Sequence, residues 1–390
     1  MNSDRSQLRT GGSQTSRGIL ILANPARRNR ARNPYNTLLS NALTALGCDV
    51  LEFTRRNAIF TRPDIVHIHW PQTTIIAKWH RAIRNFAWLV GLLAWQRLRG
   101  ARIVWTAHNV HAHDQSRPRM EAVLMWCVTR LVHGLIFLSQ SSRNDIVRAM
   151  INLDRKPYRI IPHGLYEIPA DFELTVQAAR AKFDLPSDKP IISFVGDIKP
   201  YKGLDVLLDA FTGLEPGRAT LFVAGVFGVP GFFQAPPDYV AEQKARLDAL
   251  RKQGHSVVVV ERRLDDVEML FAIRASDINV LPYRKITNSG LAMLVLGLRG
   301  RVLATDAPIF REMRGELGSE WVLLSEGGVD GEALMAALPD RRDSAAEARL
   351  DAFLEVRRWP AIAAETLSFF RALCGRGAED AAGGLQRQNG

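Results

Sequence analysis

Four segments of the chain concentrate side chains able to do chemistry. Gly196-Asp-Ile-Lys-Pro-Tyr-Lys-Gly203 sets two lysines three residues apart, between an apolar run and a helical pattern. Glycine there lets the backbone approach a ligand closely, and Lys199 and Lys202 can each place a point charge on a diphosphate. Leu281-Pro-Tyr-Arg-Lys-Ile-Thr-Asn-Ser-Gly290 also follows an apolar run and opens a helix. Asn288 or Ser289 can cap that helix, and the N–H groups of Ser289 and Gly290, with the helix dipole, suit an anion. Either segment alone also reads as a solvated turn or a simple cap. Two such turns at strand ends of one domain point to a diphosphate cradle made without metal.

The other two segments lie in the first half. Thr106-Ala-His-Asn-Val-His-Ala-His-Asp114 offers acid–base groups: Asp114 as first candidate base for a hydroxyl nucleophile, and His108 as second. The same residues are metal-ligand types, but their spacing matches no common zinc pattern, and no metal is expected. In His67-Ile-His69-Trp-Pro71, strand alternation puts both histidines on one face, turned either to a cleft or to the core. The loop Asn24–Asn36 carries Arg27, Arg28, Arg30 and Arg32 ahead of Asn33-Pro-Tyr-Asn36. Four arginines at a strand end can hold an acceptor's pyrophosphate or touch anionic lipid.

Alternating strands and helices must position these groups. Strands are expected at 18–23, 50–53, 65–69, 103–106, 135–138 and 158–161, and again at 191–195, 220–224, 257–260, 278–281 and 302–304. Such alternation predicts two doubly wound parallel sheets, each covered on both faces, with sites beyond the carboxyl ends of the strands. The organisation read is a disordered leader over 1–16, a first Rossmann-like domain over 17–165, and a second over 166–355. A helix over 356–375 crosses back, and a loose tail covers 376–390.

Charge separates the halves. Of 51 Lys and Arg in 390 residues, 24 fall in residues 1–165, against 8 Asp and Glu there; the rest of the chain is net acidic. The first half therefore expects an anionic partner, or has an ordinary Arg-rich surface. No zinc finger, RNP-like or recognition-helix pattern supports nucleic acid. Trp79 to Arg99 encloses ten apolar residues, too few to span a bilayer. Tryptophan and arginine at both flanks suit a segment lying in the membrane interface, or a buried helix between strands. Three scattered cysteines suggest neither disulfide nor zinc, and a cytoplasmic setting is the simplest.

The ordered set resembles a GT-B glycosyltransferase: two Rossmann-like domains facing across a cleft. More narrowly it is similar to the xanthan-type GDP-mannose:glycolipid β-1,4-mannosyltransferase family. The matching residues are Asn33-Pro-Tyr35, Asp64-Ile-Val-His-Ile-His-Trp-Pro71, Thr106-Ala-His-Asn109 with His113-Asp114, Ile198-Lys-Pro-Tyr-Lys-Gly203, Leu281-Pro-Tyr-Arg284, Asn288-Ser-Gly290 and Trp359-Pro-Ala-Ile362. The resemblance implies a donor site at Gly196, Lys199, Lys202, Tyr283, Asn288, Ser289 and Gly290. It implies an acceptor site at Arg27, Asn33, Tyr35, Asn36, His69, Asn109 and His113. It further implies a nucleotide-sugar co-substrate (GDP-mannose) with no cofactor, a polyprenyl-diphosphate-linked glycan acceptor, exopolysaccharide synthesis, and peripheral attachment to the anionic inner face of a bacterial plasma membrane. Gln72, Asp114 and Lys199 stand where the family pattern leads one to expect an acidic residue, a longer Glu and an Arg. The stretch Ile286 to Leu294 lacks the carboxylates of a Glu-x7-Glu pair, which points to inversion. Alternatives are a UDP-sugar donor on the same fold, or a non-catalytic glycan- or lipid-binding protein. An NAD-type oxidoreductase is disfavoured, because Ala23-Asn-Pro25 stands where a GxGxxG would follow the first strand.

Overall fold

The computed structural model describes residues 18–30, 33–109, 117–150, 152–166, 174–228 and 236–375. They form two six-stranded parallel sheets dressed with helices. The first sheet uses β1 (Leu20–Asn24), β2 (Asp49–Glu52), β3 (Ile65–Ile68), β4 (Arg102–Ala107), β5 (Gly134–Phe137) and β6 (Tyr158–Ile160). The second uses β7 (Ile191–Val195), β8 (Thr220–Ala224), β9 (Ser256–Val260), β10 (Ile278–Leu281), β11 (Val302–Thr305) and β12 (Val322–Ser325).

Continuous apolar runs make central strands of this kind, because helices cover both faces of the sheet. Alternate residues serve opposite cores. Leu22, Ile103 and Leu135 join one cluster with Leu89, Leu93 and Leu124. Their neighbours Ile21, Val104 and Ile136 join another with Tyr35, Leu39 and Phe370. The second sheet is likewise packed on both faces.

Strand order fixes where a ligand can sit. The first sheet runs β2-β1-β3-β4-β5-β6 and the second β12-β11-β10-β7-β8-β9. The order reverses between β1 and β3 in one, and between β7 and β10 in the other. Crevices open at such reversals, beyond the carboxyl ends. The two lysine- and glycine-bearing turns follow β7 and β10, on either side of the second reversal. The segments Pro25–Arg30 and His69–Ile75 flank the first.

The last helix, Trp359–Leu373, returns to the first sheet. Its Ile362, Ala363, Leu367, Phe369 and Phe370 share a core with Ile19, Ile21, Tyr35 and Leu43. The Trp359 indole N–H donates to the Leu165 carbonyl at 2.6 Å, and the Leu165 N–H donates to the Arg357 carbonyl at 3.0 Å. The two passages of the chain between the sheets thus run side by side.

The helix Trp79–Leu98 has a buried side and an exposed one. Leu89, Leu92 and Leu93 are buried, while Trp79, Trp88, Trp95 and Leu98 are exposed. Among the described residues, no helix is long and apolar enough to cross a membrane. β12 was not foreseen from sequence; it is a four-residue edge strand whose middle residues are only partly buried.

Candidate functional site

At the end of β7 the backbone turns through Gly196 at φ 111° and Gly203 at φ 71°, conformations that favour glycine. A Cβ on Gly203 would sit 2.0 Å from the Pro282 carbonyl oxygen, so glycine is what lets the two turns touch. Arg284 pins them further. Its N–H donates to the Tyr201 carbonyl at 2.9 Å and its guanidinium to the Pro200 carbonyl at 2.7 Å. The same guanidinium grips the Asp205 carboxylate through both terminal nitrogens, and the Tyr239 hydroxyl donates to Asp205 at 3.1 Å. Burial alone would raise the Asp205 carboxyl; the Arg284 bonds outweigh it and hold the group below its ordinary value. None of this clamp was read from the sequence.

Two ammonium groups converge on this floor. Lys202 Nζ lies over Gly196, 3.1 Å from where a Cβ would be. Burial pulls its pKa down to about 8, with Lys199 adding to the fall and Asp197 opposing it. Lys199 Nζ lies 3.6 Å from the Asp197 carboxylate. Across the reversal, the Ser289 hydroxyl caps the helix Gly290–Gly297 by accepting from the Ala292 N–H at 3.1 Å. The first-turn amides of that helix have no intrahelical acceptors, which makes its start a natural place for phosphate oxygens. Tyr283 is buried beside Ser289, and burial pushes its phenol above the ordinary range. All seven residues proposed for the donor therefore lie on two touching turns.

Tyr166 joins them unforeseen. Its hydroxyl approaches within 2.6 Å of a Cβ built on Gly290, and burial pushes it up to about 12. It sits in the passage between the sheets, where no periodicity marks it.

The first sheet's carboxyl ends are built differently. His69 Nδ1 and His108 Nε2 are 3.2 Å apart and share a proton. His67 Nε2 lies 2.7 Å from the Thr106 hydroxyl, and its ring centroid 4.2 Å from that of His69. Trp70 stacks on His108 at 4.2 Å. Tyr35 is the hub, with ring centroids 5.0 Å from His108, 4.9 Å from His163 and 5.3 Å from Trp359. Burial keeps the four imidazoles neutral. It lowers His67 to about 3 and His163 to about 4, and holds His69 and His108 well below the ordinary value. His163 is a further member that the sequence reading missed.

Several first-half residues proposed for the acceptor are engaged inside the fold. The Arg27 guanidinium donates to Asn41 at 3.1 Å, Thr44 at 3.1 Å and the Val50 carbonyl at 3.2 Å. Asn33 accepts from the Tyr35 N–H at 3.0 Å, and Asn36 donates to the Pro25 carbonyl at 2.9 Å. Tyr35, Asn36 and His69 are each at most 2% exposed. They shape the wall of the first domain. Asn109 is partly exposed at the end of β4. His113 and Asp114 lie outside the described residues, as does Arg32. One bond crosses from wall to wall at this point: the Asn288 amide donates to the His108 carbonyl at 2.6 Å.

Comparison with known proteins agrees with this geometry. Residues 175–314 match the model for glycosyl transferases group 1, a span that holds both turns. The GDP-mannose:glycolipid 4-beta-D-mannosyltransferase of Xanthomonas campestris pv. campestris is 28% identical over 349 residues, covering 88% of this chain and 89% of that protein. The D-inositol 3-phosphate glycosyltransferase of Corynebacterium efficiens is 27% identical over 53% of this chain and 48% of its own. Among solved structures, sucrose-phosphate synthase from Thermosynechococcus elongatus superposes with a TM-score of 0.66 at 16% identity, over 93% of this chain and 100% of that one. Anabaena Alr3699/HepE in complex with UDP gives 0.60 at 16% identity, over 90% and 99%. The segment that matches glycosyl transferases group 1 thus spans both anion turns, and the pair of sheets that carries it has the two-domain GT-B fold of these solved structures.

Proposed function

We propose that the chain transfers mannose from GDP-mannose, with inversion to a β-linkage and without a metal ion, onto a polyprenyl-diphosphate-linked oligosaccharide in exopolysaccharide synthesis. The carrying observation is the pair of touching turns after β7 and β10, where Lys199, Lys202 and the start of the helix Gly290–Gly297 gather positive charge. Such a set neutralises a leaving nucleoside diphosphate as its bond to the sugar breaks, the task a divalent ion performs elsewhere. The mannosyl donor is supported by the name of the Xanthomonas relative, which spans nearly the whole chain.

Inversion needs one base to take the acceptor's proton. Asp114 is the proposed base, because His108 is 5% exposed and shares its Nε2 with His69. The acceptor is placed against the first domain, near Asn109. The protein is proposed to work on the inner face of a bacterial plasma membrane. Support comes from the exposed Phe60, Trp79, Trp88, Trp95, Leu98 and Trp126, carried on the contacting helices Arg55–Phe60, Trp79–Leu98 and Pro118–Leu131. Arginines lie over four of these rings, Arg55 on Trp88 at 4.7 Å and Arg130 on Trp126 at 3.7 Å among them.

Titration calorimetry of the full chain with GDP, UDP and their sugar conjugates, no metal added, tests the reaction. Selective binding of GDP and GDP-mannose is expected. Selective UDP binding replaces the sugar assignment, and no binding to either rejects the donor site. Sedimentation with phosphatidylglycerol vesicles at low salt tests the membrane part; protein left in the supernatant rejects it.

A further inference from the structure

Glu312 makes a contact that the chemistry above does not use. It lies on the helix Pro308–Leu317, which follows β11 in the second domain. Its two carboxylate oxygens accept the N–H groups of Gln140 and Ser141 in the first domain, each at 2.8 Å. Those amides open the helix Gln140–Ala149, just beyond β5, where the helix dipole is positive.

This helix already has a complete cap of its own. The Ser139 hydroxyl accepts the Ser142 N–H at 3.0 Å, and the Ser142 hydroxyl accepts the Ser139 N–H at 3.1 Å. The Glu312 contact is therefore surplus to helix formation, and its free energy acts between the domains. The amides it binds follow β5, and the His108 carbonyl held by Asn288 follows β4, the neighbouring strand. Both contacts thus hold the segments after β10 and β11, neighbouring strands of the second sheet, onto adjacent strand ends of the first. Asn288 stands directly before Ser289 and Gly290.

We propose that Glu312 is a positioning residue. Its carboxylate clasps the domains shut, and through that clasp sets the Asn288-Ser-Gly290 turn against the end of β4. Glu312 lines the same cleft as Asn288 and Ser289, but its two carboxylate oxygens are taken by the Gln140 and Ser141 amides. It acts on the distance between the walls that carry donor and acceptor, and transfer depends on that distance. The inference needs a two-domain glycosyltransferase but not a particular sugar.

Small-angle X-ray scattering of the full, unliganded chain reads the clasp directly. Glu312→Ala should shift the closed-to-open ratio about tenfold towards open and raise the radius of gyration. Glu312→Gln, which keeps one acceptor oxygen, should fall between. Calorimetry with GDP should give the same Kd for wild type and Glu312→Ala within twofold, because the lysine-bearing floor is untouched. Ser139→Ala supplies the control: it removes the helix's own cap and should lower Tm with no change in scattering. Glu312→Ala that scatters like wild type overturns the proposal. So does Glu312→Ala that loses as much Tm as Ser139→Ala while staying closed, since Glu312 would then be only a second cap. If wild type binds no GDP, the donor reading fails, and the scattering comparison still decides the clasp.

Discussion

The two sheets present opposite kinds of wall at their carboxyl ends. After β7 and β10 the chain offers glycine, amide N–H groups and two ammonium side chains. After β3 and β4 it offers neutral imidazoles packed on Tyr35 and Trp70. One wall presents positive charge, part of it balanced by Asp197; the other packs neutral rings against one another. Fold symmetry therefore says little about division of labour. What distinguishes the walls is the charge they carry: ammonium groups and helix amides on one, neutral imidazoles on the other.

The contrast can be broken in several places. Tyr35→Ala removes the hub of the imidazole wall and should cost about 3–5 kcal/mol of stability, seen as a lower denaturant midpoint. GDP affinity should stay within twofold; a large loss would put Tyr35 in the donor site. Lys202→Ala should do the reverse, weakening GDP roughly a hundredfold, about 2.7 kcal/mol, with Tm nearly unchanged. In the intact protein, GDP affinity should also fall as pH rises through about 8, where Lys202 gives up its proton. Unchanged affinity in the variant would empty the cationic wall of its meaning.

Acid separates the walls more gently. The buried imidazoles resist protonation in the folded chain but accept it near pH 6.5 when unfolded. Stability should be full above about pH 6.5 and decline as pH falls towards 4, by about 1.4 kcal/mol per pH unit for each imidazole in that window. A flat stability profile between pH 7 and 4.5 would mean that these rings are wet. Lys199→Ala should have the smallest effect, a few-fold in GDP affinity or about 0.8 kcal/mol, because Asp197 already balances its charge. A loss as large as that of Lys202→Ala would make the two lysines equal partners.

The donor wall was nearly legible because its parts are local. Gly196 to Gly203 and Leu281 to Gly290 are short segments whose strand, turn and cap signals sit within ten residues of one another. The imidazole wall was legible by halves. Alternation placed His67 and His69 on one face, but no local pattern foretold that His163 and Trp359 would close around Tyr35 from far along the chain. Arg27 shows a limit of another kind: its charge is visible in sequence, and its bonds to Asn41, Thr44 and Val50 are not. Arg284 and Glu312 were passed over for a similar reason. Each does its work through a partner on another element, and spacing carries no trace of that.

The return of the helix Trp359–Leu373 bears on how the protein is made. A ribosome releases the first sheet's strands some two hundred residues before the helix that covers one of its faces. Through that interval Ile21, Val104 and Ile136 have no Phe369 or Phe370 against them, so the nascent first domain waits half-dressed while the second is completed. Turns made late thus finish a part made early, and a stop codon placed just before Trp359 would leave a sticky intermediate for chaperones or proteases instead of a smaller enzyme.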